Sequence, residues 1–280
     1  MKINYSRIRV LFVIALLLLS APLFAHGDLP ERIEKKTKEI LKNPMDYRLY
    51  YERGLLYQQH MEYNKALKDY SKSKYLGNNN KILQYRISEV YYLSEEYDKA
   101  LKSITSYLEI DNIDVKAKKL QAQILFNQKQ YKKSLDAYSY VVNNMIDIRP
   151  EDILEYANII LVENNKNYKA ALNAIELGLR HLGADTFSLQ LKKLEYLKDA
   201  NQTEEAIQQY NYFIDENQRK EFWYYEKANY LAKIDRPEEA MISLKLASLT
   251  IDRLNAKYQN MKAIITLKEQ IKNLENSFNN

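Results

Sequence analysis

Small, aromatic and charged side chains alternate along this chain in a helical rhythm that returns about every 34 residues. The clearest instance is Tyr63-Asn64-Lys65-Ala66-Leu67-Lys68-Asp69-Tyr70. It comes back as Tyr97-Asp98-Lys99-Ala100-Leu101 and as Tyr131-Lys132-Lys133-Ser134-Leu135. Further copies are Tyr168-Lys169-Ala170-Ala171-Leu172, Thr203-Glu204-Glu205-Ala206-Ile207 and Pro237-Glu238-Glu239-Ala240-Met241. The small residue stands at 66, 100, 134, 171, 206 and 240, in steps of 34, 34, 37, 35 and 34. Upstream of each copy runs a second pattern, Tyr50, Gly54 and Tyr57 in the first unit and Ile87, Ser88 and Tyr91 in the second. In the third unit it is Gln121, Ala122 and Leu125, and in the sixth Ala228 and Leu231. Spacings of three and four place side chains on one face of a helix. Each period therefore predicts helix A, a short turn and helix B.

Two antiparallel helices approach closely only where their facing side chains are small. Gly54 with Ala66, Ser88 with Ala100, and Ala122 with Ser134 are the expected contact points. Tyr57, Tyr70, Tyr91 and Tyr138 are expected to fill the gaps between helices, each hydroxyl reaching solvent or a carbonyl. That role accounts for much of the chain's 25 tyrosines. One hairpin cannot bury its faces alone, so neighbours must stack into a continuous core.

The 34-residue period and this pattern of small and aromatic positions resemble the tetratricopeptide repeat family. The first repeat, from Tyr47 to Asn80, carries the likeness best, with Tyr50, Gly54, Tyr57, Tyr63, Ala66 and Tyr70 in the family's places. It has Asn78 where the family commonly has proline, and the fifth repeat has Leu194 where a small residue is usual. The resemblance implies an all-α solenoid of about six hairpins wound as a right-handed superhelix. The hairpins are expected at 47–80, 81–114, 115–148, 150–185, 187–220 and 221–254, so the repeat array spans 47–254. The turn at Glu163-Asn164-Asn165-Lys166-Asn167 carries extra residues. Capping helices are expected on either side, within 26–46 (Pro30 early in the helix, Asn43-Pro44 ending it) and within 255–280.

Composition narrows the picture further. Five glycines and five prolines in 280 residues leave too few turns for an all-β fold. Cysteine is absent, so neither a disulfide nor a lipidated N-terminal cysteine is available. Residues 1–25 read as a secretory leader: Lys2, Arg7 and Arg9, an apolar run from Val10 to Leu19, then Ser20-Ala21-Pro22 and a small residue at Ala25. That run is too short for a membrane span, and nothing after it is more apolar. The leader holds three of the 42 Lys and Arg and none of the 37 Asp and Glu, which leaves a net charge of +2. A nearly balanced, exported chain points away from nucleic acid. The expected product is a periplasmic or secreted protein, monomeric or weakly oligomeric.

No catalytic constellation stands out. There is no phosphate-binding glycine loop, no His-Glu-x-x-His and no nucleophilic cysteine, and pairs such as Glu95-Glu96 and Glu238-Glu239 sit where a helix start favours negative charge. No cofactor is expected. His60 and His181 belong to different hairpins. His26 would begin the processed chain and could offer α-amine and imidazole to Cu(II) or Ni(II), yet nothing in Gly27-Asp28-Leu29-Pro30 completes a site. The resemblance instead implies a protein or peptide partner held in the groove of the A helices. Its register places Tyr51, Gln58, Tyr85, Glu89, Tyr92, Lys116, Lys119, Gln123, Phe126, Phe222, Tyr225 and Asn229 there. The basic and asparagine clamp of one subclass is not supported, because Tyr51 and Leu55 stand in place of its polar pair. The alternatives are a metal-handling envelope protein using His26, and an assembly factor tethered by an uncleaved leader. The leader reading makes a direct prediction: mass spectrometry of the protein recovered outside the cytoplasm finds His26 as its first residue, whereas intact Met1 in soluble cytosol refutes it.

Overall fold

A computed structural model describes residues 28–278, so the expected leader, its cleavage after Ala25 and His26 lie outside the described residues. Fifteen helices and no strand occur among the described residues. In chain order they are α1 (Leu29–Lys42), α2 (Tyr47–Gln59), α3 (Tyr63–Tyr75), α4 (Lys81–Leu93), α5 (Tyr97–Ile110), α6 (Val115–Asn127), α7 (Tyr131–Asn144), α8 (Pro150–Glu163), α9 (Tyr168–Leu182), α10 (Phe187–Asp199), α11 (Thr203–Glu216), α12 (Lys220–Lys233), α13 (Pro237–Asp252), α14 (Ala256–Gln259) and α15 (Lys262–Ser277). Six consecutive hairpins result, from α2–α3 to α12–α13. The chain divides into two compact units, one ending at Met145 and the other beginning at Ile146. The first holds α1 and three hairpins. The second holds three hairpins followed by α14 and α15, where the sequence suggested one unbroken helix.

The small residues lie where the hairpins close. Ala66, Ala100, Ser134, Ala171, Ala206 and Ala240 are all fully buried. In the second hairpin Ser88 Oγ on α4 donates to the carbonyl of Ala100 on α5 (2.9 Å). In the third, Ser134 Oγ on α7 donates to the carbonyl of Ala122 on α6 (2.8 Å). The side chain bearing the hydroxyl changes helix, but the contact is the same: a buried polar group satisfied by the facing backbone. Gly54 works differently from expectation. A Cβ there would lie 2.6 Å from Tyr70 Cε1, so its missing side chain makes room for the Tyr70 ring rather than for Ala66. In the fifth hairpin Leu194 is buried, and α10 and α11 approach at fewer points than the helices of the second, third or sixth hairpin. The buried side chains of Gln209 and Gln190 bridge that interface, Nε2 to Oε1 at 2.7 Å.

The turns obey a rule the sequence did not disclose. Met61, Glu95, Lys129, Asn201 and Asp235 each follow an A helix by two residues with φ between 54° and 61°. In the first turn Glu62 N–H donates to the carbonyl of Tyr57 (2.8 Å) and Met61 N–H to that of Gln58 (3.1 Å). The same pair of bonds recurs after α4, α6, α10 and α12. This is the Schellman arrangement, which satisfies the last carbonyls of a helix. A left-handed conformation costs a side chain such as Met61 about 1 kcal/mol, and the two hydrogen bonds hold it in place. The fourth turn has four residues rather than three and departs from the pattern, placing the positive φ at Lys166.

Polar side chains secure the start of the first unit. Asp46, Asn80 and Asp114 accept from backbone N–H groups at the starts of α2, α4 and α6. Asn78, in the place of the family's proline, is buried; it donates to Ser73 Oγ (2.9 Å), which in turn donates to the carbonyl of Tyr47 (2.9 Å). Arg53 on α2 forks onto Asp69 on α3, with Nε–Oδ2 at 2.7 Å and Nη2–Oδ1 at 2.8 Å, and its Nη1 reaches Thr37 on α1. One guanidinium thus ties the capping helix to the first hairpin.

Both kinds of contact can be tested by substitution. Ala100→Phe overpacks the contact between α4 and α5 and lowers stability by about 1–3 kcal/mol or more, while Lys102→Ala on the exposed side leaves the denaturation midpoint nearly unchanged. Asp69→Ala strands the Arg53 charge, whose side chain is only 16% exposed, and costs about 3 kcal/mol. The double change Arg53→Met with Asp69→Leu recovers most of that loss, as measured by urea unfolding.

Candidate partner-binding face

The A helices of the first unit are α2, α4 and α6, and nine of the twelve expected partner-binding residues lie on them. Their aromatic members are half-buried rather than exposed. Each rests on a tyrosine of the B helix in its own hairpin. Tyr51 meets Tyr70 (ring centroids 5.9 Å apart), Tyr85 meets Tyr107 (5.7 Å), Tyr92 meets Tyr97 (6.1 Å) and Phe126 meets Tyr131 (5.4 Å). The tilted ring pairs are favourable geometry for aromatic contact. The rings are consequently held by packing before any partner arrives.

A polar network runs between α2 and α4. The buried Tyr70 hydroxyl donates to Gln58 Oε1 (2.7 Å), and Gln58 Nε2 donates to Glu89 Oε2 (3.3 Å). Arg86 Nη1 donates to the same Glu89 oxygen (2.7 Å). Tyr85 also interacts with Glu89, and Tyr51 with Arg86. The Arg86 guanidinium lies 5.6 Å from the centre of the Tyr85 ring. Burial, reinforced by the Glu89 charge and hydrogen bond, pushes the Tyr85 hydroxyl well above its ordinary pKa. Burial does the same to Tyr70. Burial opposes the charge on Arg86, but its hydrogen bond to Glu89 and that carboxylate's charge outweigh it and hold the pKa above the usual value. Both phenols stay protonated donors and Arg86 stays charged across neutral pH. These groups bind and orient; none is paired as a nucleophile with a base.

Of the twelve residues expected to contact a partner, Tyr51, Gln58, Tyr85 and Glu89 join this network. Tyr92 and Phe126 pack at a tilt against rings of their own hairpins. Lys116 is exposed at the start of α6, with Lys119 and Gln123 half-buried further along it. Phe222 and Tyr225 lie on α12 of the second unit, half-buried against its core. Arg86 was not foreseen. Its traces in the sequence are its spacing of three from Glu89 on one helix, and the position of Gln58, which precedes Glu89 by slightly less than one repeat.

Other surfaces offer less. His60 Nδ1 lies 2.9 Å from Glu62 Oε1, and His181 is exposed at the end of α9. Among the described residues no group of three or more His, Asp or Glu is placed to hold a metal ion, and no helix is long and apolar enough to cross a membrane. A groove of about 580 Å³ lies between the second and third hairpins, lined by Leu101 and Thr105 of α5, Gln121 and Leu125 of α6, and Lys133 and Tyr140 of α7.

No family model matches the chain, and no curated protein matches it. Solved structures do. The C-terminal part of a TPR repeat-containing protein from Cytophaga hutchinsonii is 16% identical, with 88% of this chain and 96% of that chain covered and a TM-score of 0.62. A tetratricopeptide repeat protein from Parabacteroides merdae is 15% identical, with 93% and 97% covered and a TM-score of 0.53. MamA from Desulfovibrio magneticus is 16% identical, with 58% and 90% covered and a TM-score of 0.51. At such identities the likeness is one of fold alone, and the fold of this chain is the helical-hairpin repeat of tetratricopeptide proteins.

Proposed function

We propose that this chain is an exported binding scaffold, not an enzyme, that holds a protein or peptide against the A helices of its first three hairpins. The observation that carries this reading is the pre-set aromatic face. Tyr51, Tyr85, Tyr92 and Phe126 recur on successive A helices, each braced by a ring behind it, with Lys116 and Lys119 on the third helix. Rings already fixed by packing lose little rotamer freedom on contact, so more of their buried area is converted into affinity. Lys116 and Lys119 add attraction for acidic groups, felt mainly in the association rate. Between α2 and α4 the Glu89–Arg86 pair offers polar groups held in fixed directions, which favours an extended segment read at several points over a small metabolite enclosed in a cavity.

The test begins with an affinity pull-down using the processed protein and continues with variants against the partner recovered. Tyr92→Ala with Phe126→Ala is expected to weaken binding by about 2 kcal/mol or more while leaving the circular dichroism spectrum unchanged. Lys116→Glu with Lys119→Glu is expected to weaken it most at low salt. Normal binding by both variants, together with loss of binding in Thr105→Arg on the B-helix side, places the partner in the outer groove and refutes the proposal.

A further inference from the structure

The outer face of α13 carries aliphatic side chains where most of the five preceding B helices carry polar or tyrosine residues. Ile242, two residues after the small contact residue Ala240, is 61% exposed. The same place in the other B helices holds Lys68, Lys102, Asp136, Asn173 and Gln208, all exposed and polar. Leu249, 43% exposed, stands where the others have Tyr75, Glu109, Asn143, Arg180 and Asp215. Leu246, 38% exposed, lies between Ile242 and Leu249. At 100° per residue these three side chains fall within a sector of roughly 60°. They form an apolar ridge along one side of a helix whose opposite side is core.

The residues along that side are ordered symmetrically about the midpoint between Lys245 and Leu246. Ile242 and Leu249 are equidistant from it. Glu238, four residues before Ile242, and Arg253, four residues after Leu249, are equidistant as well, and both are exposed. We propose that α13 is a self-association surface, pairing antiparallel with α13 of a second copy across a two-fold axis through that midpoint. Ile242 of one copy then meets Leu249 of the other, Leu246 packs on the aliphatic stem of Lys245, and Glu238 pairs with Arg253 at both ends. Such an isologous contact is self-complementary and closes at two copies. Acid at the start and base at the end of a helix also suit its dipole, but the dipole supplies no reason for the apolar middle. A bilayer is the poorer occupant, because Glu238 shares the sector with the ridge and its charge would be carried into the headgroup boundary. A 16-residue helix is about 24 Å long, and a contact confined to it falls at the low end of interface sizes. The association is accordingly weak and reversible.

Sedimentation equilibrium of the full chain is expected to show a monomer–dimer equilibrium in the micromolar range. Ile242→Glu is expected to raise the dissociation constant at least about tenfold, as are Glu238→Lys and Arg253→Glu taken singly. Because these side chains are exposed, Ile242→Glu is expected to keep the wild-type melting temperature, and the two charge reversals, which also oppose the helix dipole, to lower it by no more than a few degrees. An equimolar mixture of Glu238→Lys and Arg253→Glu is expected to restore association, since both end contacts of the mixed dimer join a cation to a carboxylate, whereas each variant alone places like charges together at both ends. Association through any other segment is common to all samples and does not discriminate between them. A protein that stays monomeric to about 200 μM, far above the micromolar range, overturns the proposal, as does a mixture that associates no better than its components. Binding of phosphatidylglycerol vesicles that is lost in Ile242→Glu, with no dimer present, assigns the ridge to a membrane and equally overturns it.

Discussion

The close approach of two antiparallel helices at one small residue is the contact on which the remainder of this structure depends. Wherever Ala66, Ala100, Ser134, Ala171, Ala206 or Ala240 stands, the side chain is fully buried and the facing helix lies against it. Interiors pack at crystal-like density, so a larger group at such a point has nowhere to go. The fifth hairpin illustrates the constraint by departing from it. With Leu194 on the A helix the two backbones approach at fewer points, and the widened interface is bridged by the Gln190–Gln209 hydrogen bond. The buried amides tolerate that separation because Gln209 Nε2 donates to Gln190 Oε1 while Gln190 Nε2 donates to the carbonyl of Ala184.

Tyrosine is the second building material, and its use links packing to recognition. Tyr70, Tyr107 and Tyr138 are buried to within 2% of full coverage. Tyr107 donates to Asp114 Oδ2 at 2.6 Å and Tyr70 to Gln58. These rings form the floor on which Tyr51 and Tyr85 rest. An aromatic face built over such a floor is rigid on its inner side and open on its outer side, the combination that favours binding with little loss of side-chain entropy. The polar network between α2 and α4 adds direction. Glu89 Oε2 is the common acceptor of Gln58 and Arg86, which ties α2 to α4.

The hairpins were legible because their cause is local and periodic. A small residue every 34 positions, flanked at helical spacing by aromatics, admits little besides stacked antiparallel helices, and the scarcity of glycine and proline excludes most alternatives. The step of 37 instead of 34 marked the fourth hairpin in the sequence, but its three extra residues are spread over the connection before α8, α8 itself and the turn. Apolar periodicity also marked the candidate face, since register carries Tyr51, Tyr85 and Phe126 onto equivalent helices.

What the sequence by itself determined, then, is the order of helices, their pairing into hairpins and the residues at their closest contacts. Only the tertiary structure decided what those residues touch. Gly54 admits the ring of Tyr70, not a methyl group from Ala66, because ring position depends on the crossing of two helices. The face aromatics are half-buried, because exposure depends on the neighbour behind each ring. Met61, Glu95 and Lys129 take up left-handed backbone that their own side chains disfavour, since the two turn hydrogen bonds must close. Arg53 finds Asp69, and Arg86 joins Tyr51 to Glu89, through partners on other helices or on the next turn of its own. Periodicity reports which side of a helix a residue occupies, whereas a side chain's partner is set by distances across the gap between helices.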